Sequence, residues 1–278
     1  MKIKCTLGIL TFNCAETLER CLQSAKGFEE IIIADGGSTD GTLEIAKRYG
    51  ARVISQSVKG KPIEDFAKER NLLLGAATEP WFFYLDSDEI ASTELLSDIA
   101  RITEDSVSPY KAYRVRYLKT NEDASRIYRT FKEYYQIRLL RTDIGAFFER
   151  KVHERIHLPQ ETSTGQIEGA WYVLLDSDDL SFSVFTRKAW KRTGMTAAMW
   201  KPQRIYDVLH SVFLYPFSQV VKSLVKMIGV KLRWGSDAIP MKYEILRIVY
   251  AFFLSLQHAR RVFHIVFSRM GKEKQEGK

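Results

Sequence analysis

Cysteine is scarce in this 278-residue chain: three residues, Cys5, Cys14 and Cys21, all near the N-terminus. An odd number without metal-ligand spacing argues for reduced thiols in a cytosolic setting rather than a disulfide framework. No signal peptide is expected, because Met1-Lys2-Ile3-Lys4 leads into a short apolar run that ends at Asn13 with no small-residue cleavage site. Long uncharged runs are also missing. Val208–Val221 and Ile248–Ala259 both stop short of the roughly 18 residues that a bilayer span needs. Acidic residues thin out toward the C-terminus. Residues 181–278 hold 18 Lys and Arg against 5 Asp and Glu, a net +13, whereas residues 1–180 hold 24 against 29, a net −5. Such asymmetry suggests that the C-terminal third meets an anionic surface, membrane or nucleic acid.

What is present is a chain long enough for one large domain, or a domain plus an appendage, with 45% hydrophobic residues to build a core. One stretch organises it, Trp81-Phe82-Phe83-Tyr84-Leu85-Asp86-Ser87-Asp88-Glu89. Five large apolar or aromatic residues end abruptly in three carboxylates. A short apolar run bounded by Pro80 and a turn reads as a buried strand of a parallel sheet. Its end would carry Asp86 and Asp88, and ligands of open α/β sheets bind outside the carboxyl ends of the strands. Two acids one residue apart repel each other unless a cation sits between them. Hard oxygen ligands suit Mg²⁺ or Mn²⁺, bound jointly by carboxylates and substrate phosphates. The plain alternative is a strand running out into a solvated acidic turn.

The elements before this stretch alternate. Lys4–Leu10 and Glu30–Ala34 read as strands, and Glu16–Ala25 as a helix with Leu18, Cys21, Leu22 and Ala25 on one face. Asp35-Gly36-Gly37-Ser38-Thr39-Asp40-Gly41-Thr42 is a turn and a helix start together, with Ser38, Thr39 or Asp40 available to cap the helix Thr42–Tyr49. Arg52-Val53-Ile54 is a third short strand, and Phe66–Ala77 a helix carrying Arg70 and Asn71. Alternation of this kind implies a parallel sheet with helices on both faces.

Four motifs in this order carry a resemblance: the strand end Thr11-Phe12-Asn13, Ile31 to Thr42, Glu69-Arg70-Asn71, and Leu85-Asp86-Ser87-Asp88-Glu89. Residues 4–90 resemble the inverting glycosyltransferases of family 2, and in particular the branch with bacterial lipopolysaccharide-core β-glucosyltransferases. The resemblance implies an α/β GT-A fold, Rossmann-like and mostly parallel. It implies a UDP-sugar donor, UDP-glucose above all, with the backbone around Leu10, Thr11 and Asn13 flanking the uracil, Asp35 accepting from its imide, and Gly37 and Ser38 among the residues that bind the nucleotide. A carboxylate such as Asp35 accepts well from an imide N–H. Arg70 and Asp86 would face the diphosphate, Arg70 as a bidentate donor. Asp86 and Asp88 would hold the metal, Asp88 as the direct ligand. The plain alternatives are turn formers for Asp35 and Ser38, and a surface ion pair for Arg70.

Beyond residue 107 the signal is mixed. Ala112–Leu118 alternates, with Tyr113, Val115 and Tyr117 on one side, and Tyr134–Leu140 reads as another strand. Val152-His153-Glu154 is similar to an acceptor-side motif of the same branch. Inverting transfer needs a base for the attacking hydroxyl. Glu154 is the candidate, with His153 as orienter, metal neighbour or alternative base. Trp171 to Asp179 also runs from apolar residues into Asp176-Ser177-Asp178, a rival metal site that lacks the preceding nucleotide-binding elements. From Phe182 the chain reads as helical and basic.

The expected organisation is a catalytic GT-A domain over 1–180 and a helical, basic region over 181–278. The second would lie in a membrane interface, with Lys222, Lys226, Lys231, Arg233, Arg247, Arg260 and Arg261 beside the apolar runs. Its bland alternative is a helical core with a basic outer face. The expected function is metal-assisted hexose transfer to a lipid-linked or lipopolysaccharide-type acceptor, at the cytoplasmic face of the cell membrane and without nucleic acid. The alternative class is a nucleotide- or anionic-lipid-binding protein without turnover.

Overall fold

A computed structural model describes residues 2–105, 108–151, 154–175 and 181–276, the side chains of 266–276 excepted. In chain order the elements are β1 (Ile3–Thr11), α1 (Ala15–Ser24), β2 (Phe28–Asp35), α2 (Thr42–Arg48), β3 (Arg52–Ser55), α3 (Phe66–Ala76), β4 (Trp81–Asp86), β5 (Glu89–Ala91), α4 (Thr93–Glu104) and β6 (Ala112–Thr120). They continue with β7 (Ile127–Tyr128), β8 (Tyr134–Arg141), β9 (Phe147–Glu149), β10 (Arg155–His157), β11 (Thr164–Leu174), α5 (Phe182–Met199), α6 (Ile205–Leu209), α7 (Tyr215–Trp234) and α8 (Met241–Glu276). The chain divides into two compact units, Met1–Thr120 with Lys132–Leu174, and Asn121–Phe131 with Leu175–Lys278. The boundary expected at residue 180 falls within 176–180, outside the described residues.

The first unit is a mixed sheet in the order β3-β2-β1-β4-β8-β6-β11-β5. Its first four strands are parallel, as βαβ alternation requires. β8 runs antiparallel to β4 and β6, β11 is parallel to β6, and β5 is antiparallel to β11. This is the α/β architecture expected, with antiparallel strands confined to one half. Register decides where the site can form. Thr11 pairs with Asp35, and Leu10 with Asp86, so the ends of β1, β2 and β4 lie level along one edge.

The unbroken apolar run in β4 follows from burial on both faces. Trp81, Phe83 and Leu85 join one core with Leu18, Cys21 and Leu22 of α1 and with Leu95 and Ile99 of α4. Phe82 and Tyr84 join the opposite core with Leu73 of α3, Leu140 and Phe148. Alternate residues of a strand point to opposite faces, so a strand covered on both sides must be apolar throughout. Each fully buried Phe contributes about 1.5–3 kcal/mol by removal from water. α4 sits directly on β11 at Gly169, where a Cβ would lie 2.4 Å from the Leu95 backbone.

In the second unit, α7 buries Pro216, Ser223 and Val230 at seven-residue spacing. Val230, Leu175, Ala238 and Ile239 form a small core with Tyr128, Trp234 and Tyr243 against it. The buried Glu244 carboxylate of α8 accepts from Lys226 of α7 at 2.6 Å. α5 meets α8 through an edge-to-face contact of Trp190 with Phe253. A π-turn, His210–Leu214, joins α6 to α7, so helix runs continuously from Ile205 to Trp234. This revises the sequence expectation about spans. Counting only uncharged residues breaks the run, but Ile205–Asp237 forms 33 residues of helical chain, long and apolar enough to cross a membrane by length and composition.

Candidate functional site

The first part of the site is the loop after β2. Asp35, at the end of that strand, is buried and takes four donors. Oδ1 accepts from the backbone N–H groups of Gly37 and Ser38, both at 2.8 Å. Oδ2 accepts from the hydroxyls of Thr11 at 2.8 Å and Ser38 at 2.6 Å. The Ser38 hydroxyl in turn accepts from the Asn13 N–H, and Asn13 Oδ1 accepts from the Thr39 N–H. Asn13 and Gly37 both have positive φ, +49° and +87°, a backbone that Asn and Gly adopt most readily. Asp40 starts two helices, accepting from Thr42 N–H of α2 and Ala15 N–H of α1. The structure thus gathers Thr11, Asn13, Asp35, Gly37 and Ser38 into one hydrogen-bonded nest. The Asp35 carboxylate already uses about four lone-pair positions, so a further N–H donor would replace one of the rotatable hydroxyls.

The second part is α3, where three successive residues reach three different segments. Glu69 accepts from the Ser57 N–H at 3.0 Å. Asn71 makes a two-way bond to Phe148, donating to its carbonyl at 2.8 Å and accepting from its N–H at 2.7 Å. Arg70 lies between them, 1% exposed, and bridges two carboxylates. Its Nη2 pairs with Asp86, and its Nε donates to Glu154 at 3.2 Å. Its guanidinium stacks on the Tyr84 ring at 4.4 Å from the centroid. This placement is not the surface ion pair drawn as the plain alternative for Arg70, whose side chain is 1% exposed. It is a buried link, and its remaining Nη1 has no partner among the described residues. Burial opposes the charge on Arg70, but Asp86, Tyr84 and Glu154 outweigh it and raise its pKa.

The third part is the turn from β4 to β5, which holds Asp86, Ser87, Asp88 and Glu89. The Asp86 side chain is 46% exposed, and Asp88 is exposed. Desolvation works against charge on Asp86, yet Arg70 and then Arg138 hold its carboxyl below the usual range. Glu89 is turned inward and buried. Burial pushes its carboxyl up, to about 7, while Arg138 opposes the push and Asp86 adds to it. Among the described residues no three His, Cys, Asp or Glu side chains are grouped to hold a metal. The donor set of Asp86 and Asp88 fits a hard cation that takes its other ligands from diphosphate and water, as Mg²⁺ and Mn²⁺ do.

Most of the residues singled out from sequence therefore lie at one edge of the sheet, and Arg70 links two of them, Asp86 and Glu154, directly. Val152 and His153 lie outside the described residues, as do Asp176, Asp178 and Asp179 of the rival acidic run. Sequence reading assigned no role to Glu89, Arg138 or Trp171. The available signal was Arg138 itself, a lone charge between Ile137 and Leu139 in an apolar strand, since arginine is buried only when paired.

A model of the family described as Glycosyl transferase family 2 matches residues 6–156. The chain belongs to that family. Relatives within it include the SPbeta prophage-derived glycosyltransferase SunS of Bacillus subtilis (strain 168), 36% identical over 98 residues, which are 35% of this chain and 23% of SunS. They also include the lipopolysaccharide core biosynthesis glycosyltransferase LpsC of Rhizobium meliloti (strain 1021), 28% identical over 162 residues, 56% of this chain and 57% of LpsC. The matched stretch thus spans about a quarter of the one relative and somewhat over half of the other. Among solved structures, S. aureus TarS 1–349 in complex with UDP aligns over 95% of this chain and 92% of that chain, with 16% identity and a TM-score of 0.45. A likeness of that size carries no argument about the site.

Proposed function

We propose that this family 2 chain is an inverting, metal-assisted hexosyltransferase. It would move a hexose, glucose in the first instance, from a UDP-linked donor to a hydroxyl of a lipid-linked or lipopolysaccharide-type acceptor, as in the lipopolysaccharide-core β-glucosyltransferase branch. One observation carries the reading: a single buried guanidinium, Arg70, joins Asp86 of the acidic turn to Glu154, the candidate base. The carboxylate that would face the diphosphate and the group that would take the acceptor's proton are thereby held one side chain apart.

The roles follow from the chemistry of each group. The nest of Thr11, Asn13, Asp35, Gly37 and Ser38 binds and orients the nucleotide. Asp86 and Asp88 would hold Mg²⁺ or Mn²⁺, which neutralises charge on the departing diphosphate when bound. Glu154 takes the proton from the attacking hydroxyl. Attack from the face opposite the nucleotide turns an α-linked donor into a β-linked product. LpsC is named for lipopolysaccharide core biosynthesis, which supports an acceptor of that class.

The second unit supports a place at the cytoplasmic membrane surface. Phe213, Phe217, Val221, Leu224, Ile228 and Leu232 form an exposed apolar stripe along the helix that begins at Ile205. A stripe of this kind beside basic residues gains from burial at the headgroup boundary and from anionic lipid. The test is thermal unfolding of the full chain with a panel of nucleotide-sugars and Mn²⁺, since a ligand of the native state raises the midpoint. Stabilisation by UDP-glucose above other donors supports the reading. A preference for another nucleotide removes UDP, and no response to any donor removes the transferase assignment.

A further inference from the structure

The acidic turn is fixed from beneath by a buried cluster that the transfer chemistry does not itself use. Glu89 closes the turn on itself, its Oε2 accepting from the Asp86 N–H at 2.9 Å. The same oxygen accepts from Arg138 Nη1 at 2.7 Å, and Oε1 accepts from Arg138 Nη2 at 3.0 Å and from Trp171 Nε1 at 2.8 Å. Arg138 Nη1 also donates to the Tyr84 carbonyl at 3.2 Å, the last residue but one before Asp86. Its guanidinium lies over the Trp171 ring at 4.2 Å and over the Tyr84 ring at 4.5 Å. Glu89, Arg138 and Trp171 are all buried. They come from β5, β8 and β11, so three strands are tied to the end of β4.

Resting on the reading of Asp86 and Asp88 as metal ligands, we propose that Glu89, Arg138 and Trp171 are positioning residues that set the geometry of those two carboxylates for the metal–diphosphate. Burying two charges is costly unless the pair has good geometry and its remaining bonds are met. Here a bidentate pair with two further donors meets that condition on the carboxylate side. Buried ion pairs can often be replaced by well-packed apolar side chains without loss of stability, so stability alone does not call for this one. What the charged cluster adds is a fixed backbone at Asp86 and a turn of one shape, the function of outer-shell partners at metal sites. Arg70 and Arg138 cover opposite ends of the same device, one on the Asp86 side chain and one on the Tyr84 and Glu89 groups behind it.

The test is Mn²⁺ binding to the full chain in the presence of UDP, followed by electron paramagnetic resonance, beside UDP binding without metal. Glu89→Gln removes the charge and sets an amide N–H₂ against Arg138. Trp171→Phe removes one donor and keeps a ring beneath the guanidinium. For Glu89→Gln the expected loss of Mn²⁺ affinity is about 10–100-fold, with metal-free UDP binding unchanged, and for Trp171→Phe the loss is smaller but in the same direction. If Glu89→Gln does not fold, Trp171→Phe decides alone. Unchanged Mn²⁺ affinity in the folded variants overturns the positioning role. Equal losses with and without metal overturn it as well, because they mark a general structural effect. Absence of Mn²⁺ binding in the unmodified protein with UDP overturns the metal-site reading and this inference with it.

Discussion

Glu154 shows how one side chain can be legible in role and illegible in setting. The base role was drawn from a local motif, Val152-His153-Glu154, whereas its partner Arg70 is 84 residues away. No pattern along the chain announces that bond. Glu154→Gln keeps shape and the hydrogen bond from Arg70 while removing basicity. Turnover is expected to fall about 10²–10⁴-fold with donor binding preserved, checked by comparing kcat with nucleotide affinity. Near-normal turnover would move the base elsewhere. Asp35 marks the other limit of sequence reading. A carboxylate at a strand end followed by Gly-Gly-Ser predicts a turn and a binding role equally well. Three of its four donors come from residues 37 and 38 of the turn itself, but the fourth, the Thr11 hydroxyl, reaches it only once β1 and β2 are in register.

At the level of elements, the parallel half of the sheet was legible because each strand and helix announces itself over a few residues. The antiparallel half was not. The alternating patterns of β6 and β8 predict strands, but nothing local orders them as β4-β8-β6-β11. The interior Arg138 of β8 belongs to a network that spans residues 84 to 171. α3 is the element with most consequence for the site, because it anchors three segments at once. Asn71→Ala would leave both backbone groups of Phe148 without their partner. The expected cost is about 1–3 kcal/mol, read as a lowered unfolding midpoint in urea. A second anchor lies at the opposite edge of the sheet. Glu30 of β2 accepts from the Thr6 hydroxyl, Arg52 and the Thr78 N–H. Burial pushes its carboxyl up, but these donors outweigh burial and hold it below its ordinary value. A carboxyl lowered in the folded state stabilises above its unfolded pKa and loses that contribution as pH falls through the folded value. The stability gap between the unmodified chain and Glu30→Gln should therefore be full at neutral pH and close below about pH 4.5. A gap independent of pH would show that the carboxylate charge is not what matters.

Over the whole molecule, charge and apolar exposure coincide in the C-terminal unit. Its excess of 18 basic over 5 acidic residues in 181–278 is shared with a helix whose apolar stripe includes Leu232 at 83% exposure. The sequence made the charge visible but understated the helix, because counting uncharged residues ignores how few charges interrupt a helix face. Each Lys or Arg near an anionic surface contributes about 1 kcal/mol, and salt screens that part while leaving the apolar part in place. The full chain should sediment with anionic vesicles more than with neutral ones, and high salt should weaken binding without abolishing it. Phe213→Asp with Phe217→Asp should remove the salt-resistant fraction. Complete release of the unmodified chain by salt would mean a purely electrostatic contact. No binding at all would assign the stripe to something other than lipid.

The most direct test of the central claim is release of UDP from UDP-glucose by the purified protein with Mn²⁺, with a chelator, and in the Asp88→Asn variant. Asp88 is exposed at the end of the turn, so its substitution should leave thermal stability near that of the unmodified chain. The account predicts metal-dependent release in the unmodified protein and a loss of about 10² or more in Asp88→Asn, in keeping with the weight of charge stabilisation in such reactions. Release that survives the chelator, or an Asp88→Asn variant that keeps full activity, would contradict it.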